Sequence, residues 1–462
     1  MTSAPRHRRS HTLTNGLRAV LASLAVASGA LALDAVQPTH VGAQSPAAAT
    51  TLNVWYSADD PTESALTKAV VRSYQAAHPH VHVALSFFAL DDMNAKLQLA
   101  LSANRPPDLI YSTPRGPGLQ TYVRNHQLLN LTPYARANDW GGLLRTNVLG
   151  SYNDSLVPSG KAKGTVYAAP YAMAAVGILY NKSIFRRLHL SIPTTLAQFE
   201  AAAAKVSAAG LTPIGFGEAD GWVGDDWYIT LINSAVSGAA LRPELQLAPK
   251  FNWRNAQFRA AGATLQNWAN KGWFTNQFSA LDAQDSVTAF FEGHTAMQLI
   301  SSTENGQIVG LAASSHIPVG VFAFPRTRPG GLPVSPQSGF EGWAIPKAGS
   351  NHGAAAQFIT AMLSTPVAKL LVGHGLLPAH RAPASFAPNG SLQQNFITIL
   401  EKDAPGVYLD GAPVPNLNAT MEANVQLLLQ KLETPDLLTR NLQQVYDTNG
   451  SRASATRTDG EF

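Results

Sequence analysis

No cysteine occurs in the 462 residues, and this one absence removes several chemistries together. Disulfides, thiolate metal sites, a cysteine nucleophile and lipid attachment through an N-terminal cysteine are all excluded. Charge is also scarce, with Asp, Glu, Lys and Arg making up 13% of the chain against 45% hydrophobic residues, a balance that fits neither a disordered chain nor an integral membrane protein. HExxH, GxSxG and phosphate-loop signatures are missing, and nothing calls for a cofactor. What remains has ordinary globular composition and enough length for two lobes with separate cores.

The N-terminus reads differently from the rest. Arg6, Arg8, Arg9 and Arg18 precede an uncharged, mostly apolar run from Ala19 to Leu33, shorter than the roughly 20 residues a spanning helix needs. Small residues at Val41-Gly42-Ala43 suit signal peptidase, so residues 1–43 are expected to be a signal peptide and the exported chain to be periplasmic or secreted. An uncleaved anchor is the alternative, and the residues after Arg8-Arg9 fit a twin-arginine signal poorly. Loss of this segment removes those four arginines and Asp34, leaving a nearly neutral chain. The formal charge of +4 is therefore no argument for nucleic acid.

Residues 44–50 form an Ala/Ser/Pro linker and 450–462 a polar tail, both expected to be disordered. Between them strands alternate with helices. Leu52 to Tyr56 reads as a buried strand, Asp60-Pro61-Thr62-Glu63 as a helix cap with proline at the first position, Val81 to Phe88 as a second strand and Asp108 to Tyr111 as the start of a third. This βαβαβ pattern demands a largely parallel sheet with helices on both faces and a ligand at the carboxyl ends of its strands. Thr195 to Gln198 is a capping box that opens a helix with Phe199, Ala202, Ala203 and Val206 as its apolar stripe.

One long stretch carries a resemblance. Gly164, Tyr167 and Pro170, followed by Tyr180-Asn181-Lys182, Pro193 and Thr195, resemble the signature of extracellular solute-binding proteins of family 1, the sugar-type, maltose-binding-protein-like receptors of ABC importers. His78-Pro79, Pro107-Asp108, Phe290 to Met297, Gly339 to Ile359 and Leu432 to Pro435 follow in the family's order, so the resemblance spans roughly residues 51–448. It implies an α/β, two-lobed type II periplasmic-binding-protein (Venus-flytrap) fold, each lobe a mostly parallel sheet flanked by helices. Lobe 1 would take residues 51–168 plus 319–375 and lobe 2 residues 169–318 plus 376–449, with crossings near Ala168-Ala169, Ile317-Pro318 and Gly373 to Leu376. It further implies a non-enzymatic monomeric receptor whose partners are a sugar or oligosaccharide and the permease subunits of an ABC transporter.

Against that frame, the stretch Gly217 to Trp227, with two tryptophans, four carboxylates and no basic residue, stands out. Sugars have apolar C–H faces and polar rims, and aromatic plates beside carboxylates match both. Trp222, Asp225 and Trp227 are therefore candidate ligand contacts, with the alternative that Trp227 begins a helix and packs in the core. The strand-end loops add Ser57, Asp60, Ser112 and Arg115, with Asp60 equally readable as a helix cap. Tyr171 lies beyond the first crossing; Ser302 and Glu304 lie in a loop where related proteins face the cleft; Glu341 and Trp343 sit at a late strand, with Trp343 as a second plate. Arg381 is either a ligand contact or one half of an ion pair across the hinge. Tryptophans 253, 268 and 273 read as structural.

Three rival classes remain in view. A carbohydrate-active enzyme would use similar residues as a carboxylate pair. A metal receptor would need His78, His80 and His82 to converge, whereas His78 precedes the strand, so no metal site is expected. A receptor for a cationic solute such as a polyamine is the stronger rival, since acids with aromatics also make a cation cage.

Overall fold

The structure is a computed structural model and describes residues 49–57, 61–112, 118–146, 148–156, 164–236, 240–241, 251–302, 305–327, 340–402, 407, 409 and 414–455. The expected signal segment, residues 44–48 of the linker and residues 456–462 of the tail lie outside them, as do Asp60, Arg115 and Glu304.

The first three strands form as their pattern requires. β1 (Thr50–Ser57) pairs in parallel with β2 (Val81–Phe88) on one side and β3 (Leu109–Ser112) on the other, and the helices Pro61–Ala77 and Leu90–Ser102 make the crossovers. Alternation sends Leu52, Val54 and Tyr56 into the core, while Trp55 on the opposite face packs on Phe88. Asp108, just ahead of β3, fastens this region. One carboxylate oxygen accepts the Asn53 N–H at 2.9 Å and the other accepts those of Ser350 and Asn351, both at 3.1 Å.

Three later strands complete this sheet: β4 (Ala168–Met173), β9 (Phe340–Ala344) and β10 (Leu377–Pro378). The order is β10-β4-β9-β3-β1-β2, with β9 antiparallel to both β3 and β4. The β4/β9 register slips between Pro170 and Ala172, so proline sits where a ladder bond is already interrupted. The second sheet has the order β6-β7-β5-β8, built from β5 (Val176–Asn181), β6 (Thr212–Gly215), β7 (Thr295–Ser301) and β8 (Val319–Phe322). Only the β6/β7 pairing is parallel there; β5 runs against both β7 and β8, so three of the four strands point the same way.

Two elements of the sequence signature acquire structural reasons. Asn181 ends β5 and caps the helix Lys182–Arg187, its side-chain oxygen accepting from Ser183 N and Ile184 N. Thr195 caps the helix Leu196–Ala208 by accepting from Gln198 N, and Phe199, Ala202, Ala203 and Val206 are buried as expected. The reciprocal bond of the capping box is displaced: Gln198 Oε1 accepts from Thr194 N at 2.8 Å.

The chain moves from the six-stranded to the four-stranded sheet between Met173 and Val176, returns between Phe322 and Phe340, and places β10 in the six-stranded sheet before departing for the last time. Each passage lies further along the chain than the sequence pattern suggests, because β4, β8 and β10 each finish a ladder before the chain turns away. The last helix, Pro435–Ala455, likewise runs on into the segment read as a tail. Among the described residues no single helix is long and apolar enough to cross a membrane.

Candidate functional site

β6 ends at Gly215 and the helix Trp222–Ala235 begins seven residues on, so the acidic stretch is the turn between them plus the helix's first two turns. Gly221 is the N-cap, at φ +86°, a conformation open to glycine but strained for other residues. Having no side chain, it leaves the first turn's N–H groups without the usual cap. Glu218 supplies one: its carboxyl accepts the Gly224 N–H at 2.6 Å, and its backbone carbonyl accepts from Gly221 N at 3.1 Å and from Gln426 Nε2 at 3.1 Å.

The four carboxylates of this stretch have separate fates. Glu218 is 2% exposed, and burial first, then the neighbouring charges of Asp226, Glu422 and Asp220, push its carboxyl up to about 8 against the opposing Gly224 hydrogen bond. Asp220 accepts from Ala283 N at 3.1 Å, tying the turn to the helix Ala283–Phe291. Asp225 is buried; desolvation, with Asp225 adding to it, pushes the Tyr228 phenol above its usual value. Asp226 alone is half-buried. It follows Trp222 by four residues and therefore shares its helix face.

Trp222 is 36% exposed. With Asp226 it lines a small pocket floored by Ala283 and Val287 of the next helix and by Ile300 and Ser301 at the end of β7. An indole plate, a carboxylate and a hydroxyl-bearing strand end thus meet at the end of β7. Ser301 pairs with Val176, just after the chain's first passage between sheets. Of the acidic stretch, one tryptophan and one carboxylate thus face a concavity, while Trp227, Glu218 and Asp225 are buried.

Trp227 and Trp343 require correction. Trp227 is 0% exposed, packed edge-on against Trp268 and Phe324, which matches the alternative of a core helix residue. The helix starts earlier than that alternative had it, at Trp222. Trp343 is no plate: also at 0% exposure, it lies among Tyr56, Tyr111, Tyr171 and Phe358. β9 is a central strand, and its inward face is covered by the helix His352–Met362.

The remaining candidates divide similarly. Tyr171 is buried at the β4 bulge, edge-on to Tyr111. Ser302 is buried; its Oγ accepts from Ala175 N at 2.9 Å and its N–H donates to Ala175 O at 2.8 Å, so it fastens the passage between sheets. Arg381 is exposed and donates through Nε to the Leu144 carbonyl at 2.5 Å, without an acid across the hinge among its described partners. Ser57 and Ser112 are the last residues of β1 and β3. Glu341 is half-buried and accepts from the Tyr111 hydroxyl. Burial, and secondarily the Glu341 charge, push the Tyr152 phenol up as well. Tyr111 and Glu218 are additions the sequence reading missed. Tyr111 had a usable signal, its place beside Ser112 at a strand's carboxyl end; Glu218 had none, since its burial is set by residues far along the chain. The histidines do not converge: His78 bonds Tyr74 O through Nδ1 and stacks on the Tyr74 ring.

Residues 58–369 match the family described as bacterial extracellular solute-binding protein. The multiple sugar-binding protein of Streptococcus mutans is 22% identical over 272 residues, 58% of this chain, and the chain spans 60% of the length of that curated relative. Among solved structures, a chitin oligosaccharide binding protein is similar with a TM-score of 0.69 at 20% identity, covering 87% of this chain and 99% of its own. The GacH receptor of Streptomyces glaucescens, known unliganded and with acarbose, is similar at 0.65 and 16%, covering 89% and 100%. At such identities the likeness establishes the fold, the two-lobed type II periplasmic-binding-protein architecture with one sheet in each lobe.

Proposed function

This chain belongs to the bacterial extracellular solute-binding protein family, and we propose that it is an exported receptor that binds a sugar or oligosaccharide between its lobes and delivers it to the permease of an ABC importer. The observation that carries this reading is the Trp222–Asp226 pair, an exposed indole with a carboxylate one helical turn on, set over the pocket at the end of β7. An indole covers the C–H face of a pyranose, and a charged acceptor beside it takes hydroxyl donors through the stronger class of hydrogen bond. Support comes also from relatives: GacH in complex with acarbose, RafE in complex with raffinose and the chitin oligosaccharide binding protein.

Lobe 1 is built on the six-stranded sheet and lobe 2 on the four-stranded sheet, with Ser57, Ser112 and Glu341 the lobe 1 contacts and Trp222, Asp226 and Ser301 those of lobe 2. Ligand favours the closed state by touching both. The receptor acts as a monomer, binds without cleaving, and reaches its compartment through the signal at residues 1–43.

A thermal-shift screen of the full chain with mono- and oligosaccharides and with spermidine tests this, since a ligand of the folded state raises the melting temperature by mass action. A neutral saccharide that stabilises the wild type and not Trp222→Ala is expected. Stabilisation by spermidine alone would favour the cationic-solute reading, to which the lack of any basic residue between Gly217 and Trp227 lends weight. Sugar chromatography after incubation with an oligosaccharide should show the substrate unchanged.

A further inference from the structure

Glu218 has the strongest unexplained chemistry in the described molecule. It is a carboxyl 2% exposed, with Oε2 on the Gly224 N–H and Oε1 without a hydrogen-bond partner among the described residues. A Cβ added to Gly224 would lie 2.7 Å from Oε1 and 2.9 Å from a Val425 methyl, so the carboxyl is wedged between the first turn of the Trp222 helix and the helix Leu417–Leu429. Its described charged neighbours are all acids. Asp226 belongs to the Trp222 helix, Glu422 to the helix Leu417–Leu429 and Asp220 to the turn; Asp225 shares the first helix and Asp282 caps the helix Ala283–Phe291 packed below.

A carboxylate at a helix N-terminus is ordinarily welcome. Here desolvation and the surrounding acids oppose the charge, and the hydrogen bond to Gly224 N needs only an acceptor oxygen, which the neutral acid retains. Among the described residues an ionised Glu218 would have no cation and no second donor, and it would be repelled by Asp226; relief lies in moving the helix's first turn away or in admitting water. That turn carries Trp222.

We propose that Glu218 is a positioning residue for the ligand platform, a proton-controlled wedge that holds Trp222 and Asp226 in place while its carboxyl is neutral and releases them when it ionises. It touches no ligand. That Trp222 is a ligand contact rests on the receptor reading above; the coupling between Glu218 and Trp222 does not, and the test needs no ligand.

The experiment is a pH titration of the full chain labelled with 5-fluorotryptophan, followed by fluorine NMR from about pH 5 to about pH 9.5, a window that starts above the unperturbed carboxylate values and takes in the histidine one. Eight tryptophans are present, and Trp222→Phe identifies the resonance of interest. The Trp222 resonance is expected to shift in a single step above neutrality, the step to vanish in Glu218→Gln, which keeps an acceptor for Gly224 N and cannot ionise, and to persist in Asp226→Asn. A Trp222 resonance that stays put in the wild type, or a step that survives in Glu218→Gln, overturns the proposal. Should Glu218→Gln not fold, the carboxyl carbon of Glu218 in carbon-13-labelled wild type serves instead: its titration must share a midpoint with the Trp222 step, and separate midpoints overturn the coupling equally.

Discussion

The indole of Trp343 lies 4.9 Å from the ring of Tyr111, centroid to centroid and tilted by 55°, so the two residues that face each other across the β3/β9 ladder also pack side chain to side chain. Tyr111 stacks in turn on Tyr56 at 4.1 Å with rings 2° from parallel. Rings thus run continuously across three strands beneath the helix that contributes Phe358. Replacing Trp343 by alanine should open a cavity in this stack and cost about 3–5 kcal/mol of stability. Urea unfolding with a constant slope and a lowered midpoint is the expected signature.

Trp222→Ala should do the reverse. Its ring is partly in solvent, so the melting temperature should stay near that of the wild type, while affinity for a saccharide that binds the wild type falls by about 2 kcal/mol, roughly 30-fold, as for a stacked anchor. Titration calorimetry of wild type and variant reads the affinity, and a calorimetric melt of each reads the melting temperature. Asp226→Asn should weaken the same ligand less, because the amide keeps an acceptor.

Stability should fall as pH rises. Burial first, with Asp226, Glu422 and Asp220, raises Glu218 from 4.5 to about 8 in the folded chain. Its contribution is therefore complete below 4.5 and is lost as pH climbs through about 8, because the folded state holds the proton longer than the unfolded state does. Calorimetric melts across that window should show a decline for the wild type and a flatter profile for Glu218→Gln.

Asp108→Ala removes the acceptor for three backbone N–H groups, those of Asn53, Ser350 and Asn351. Asp108 is buried, but its donor residues are exposed or half-buried and can turn to water, so the loss should cost about 2 kcal/mol. Faster hydrogen exchange at Asn53 and Asn351, with the four-stranded sheet unaffected, distinguishes this from general loosening.

Local signals carried the first three strands: alternation in β1, proline and acid at a helix start, and short links. They also carried the cap at Thr195, which acts within three residues of itself. Trp343 was misread for a non-local reason. Glu341 and Trp343 share one face of β9 by strand period, yet Glu341 is half-buried and Trp343 is sealed, because cover by Tyr56 and Phe358 begins between them. Nothing within β9 announces where that cover starts. The acidic stretch failed in the same way. Its four carboxylates look equivalent in sequence, and they are sorted into wedge, tie, core and pocket by Val425, Gln426 and Ala283, all distant along the chain.

Met173 is the last residue of β4 held in the six-stranded ladder, and Ala175 is held to Ser302 by two hydrogen bonds. Only Ala174 is left between them. One residue reaches about 3.5 Å, so this strap has no slack to pay out, and the sheets it joins cannot draw apart along it. On the receptor reading, closure would turn about this strap, the travel of each atom growing with its distance from Ala174. The edge of a guest nearest the strap would meet atoms already in place, whereas the far edge waits for atoms that arrive. Selection of a guest by shape would then be decided at the near edge and its retention at the far one.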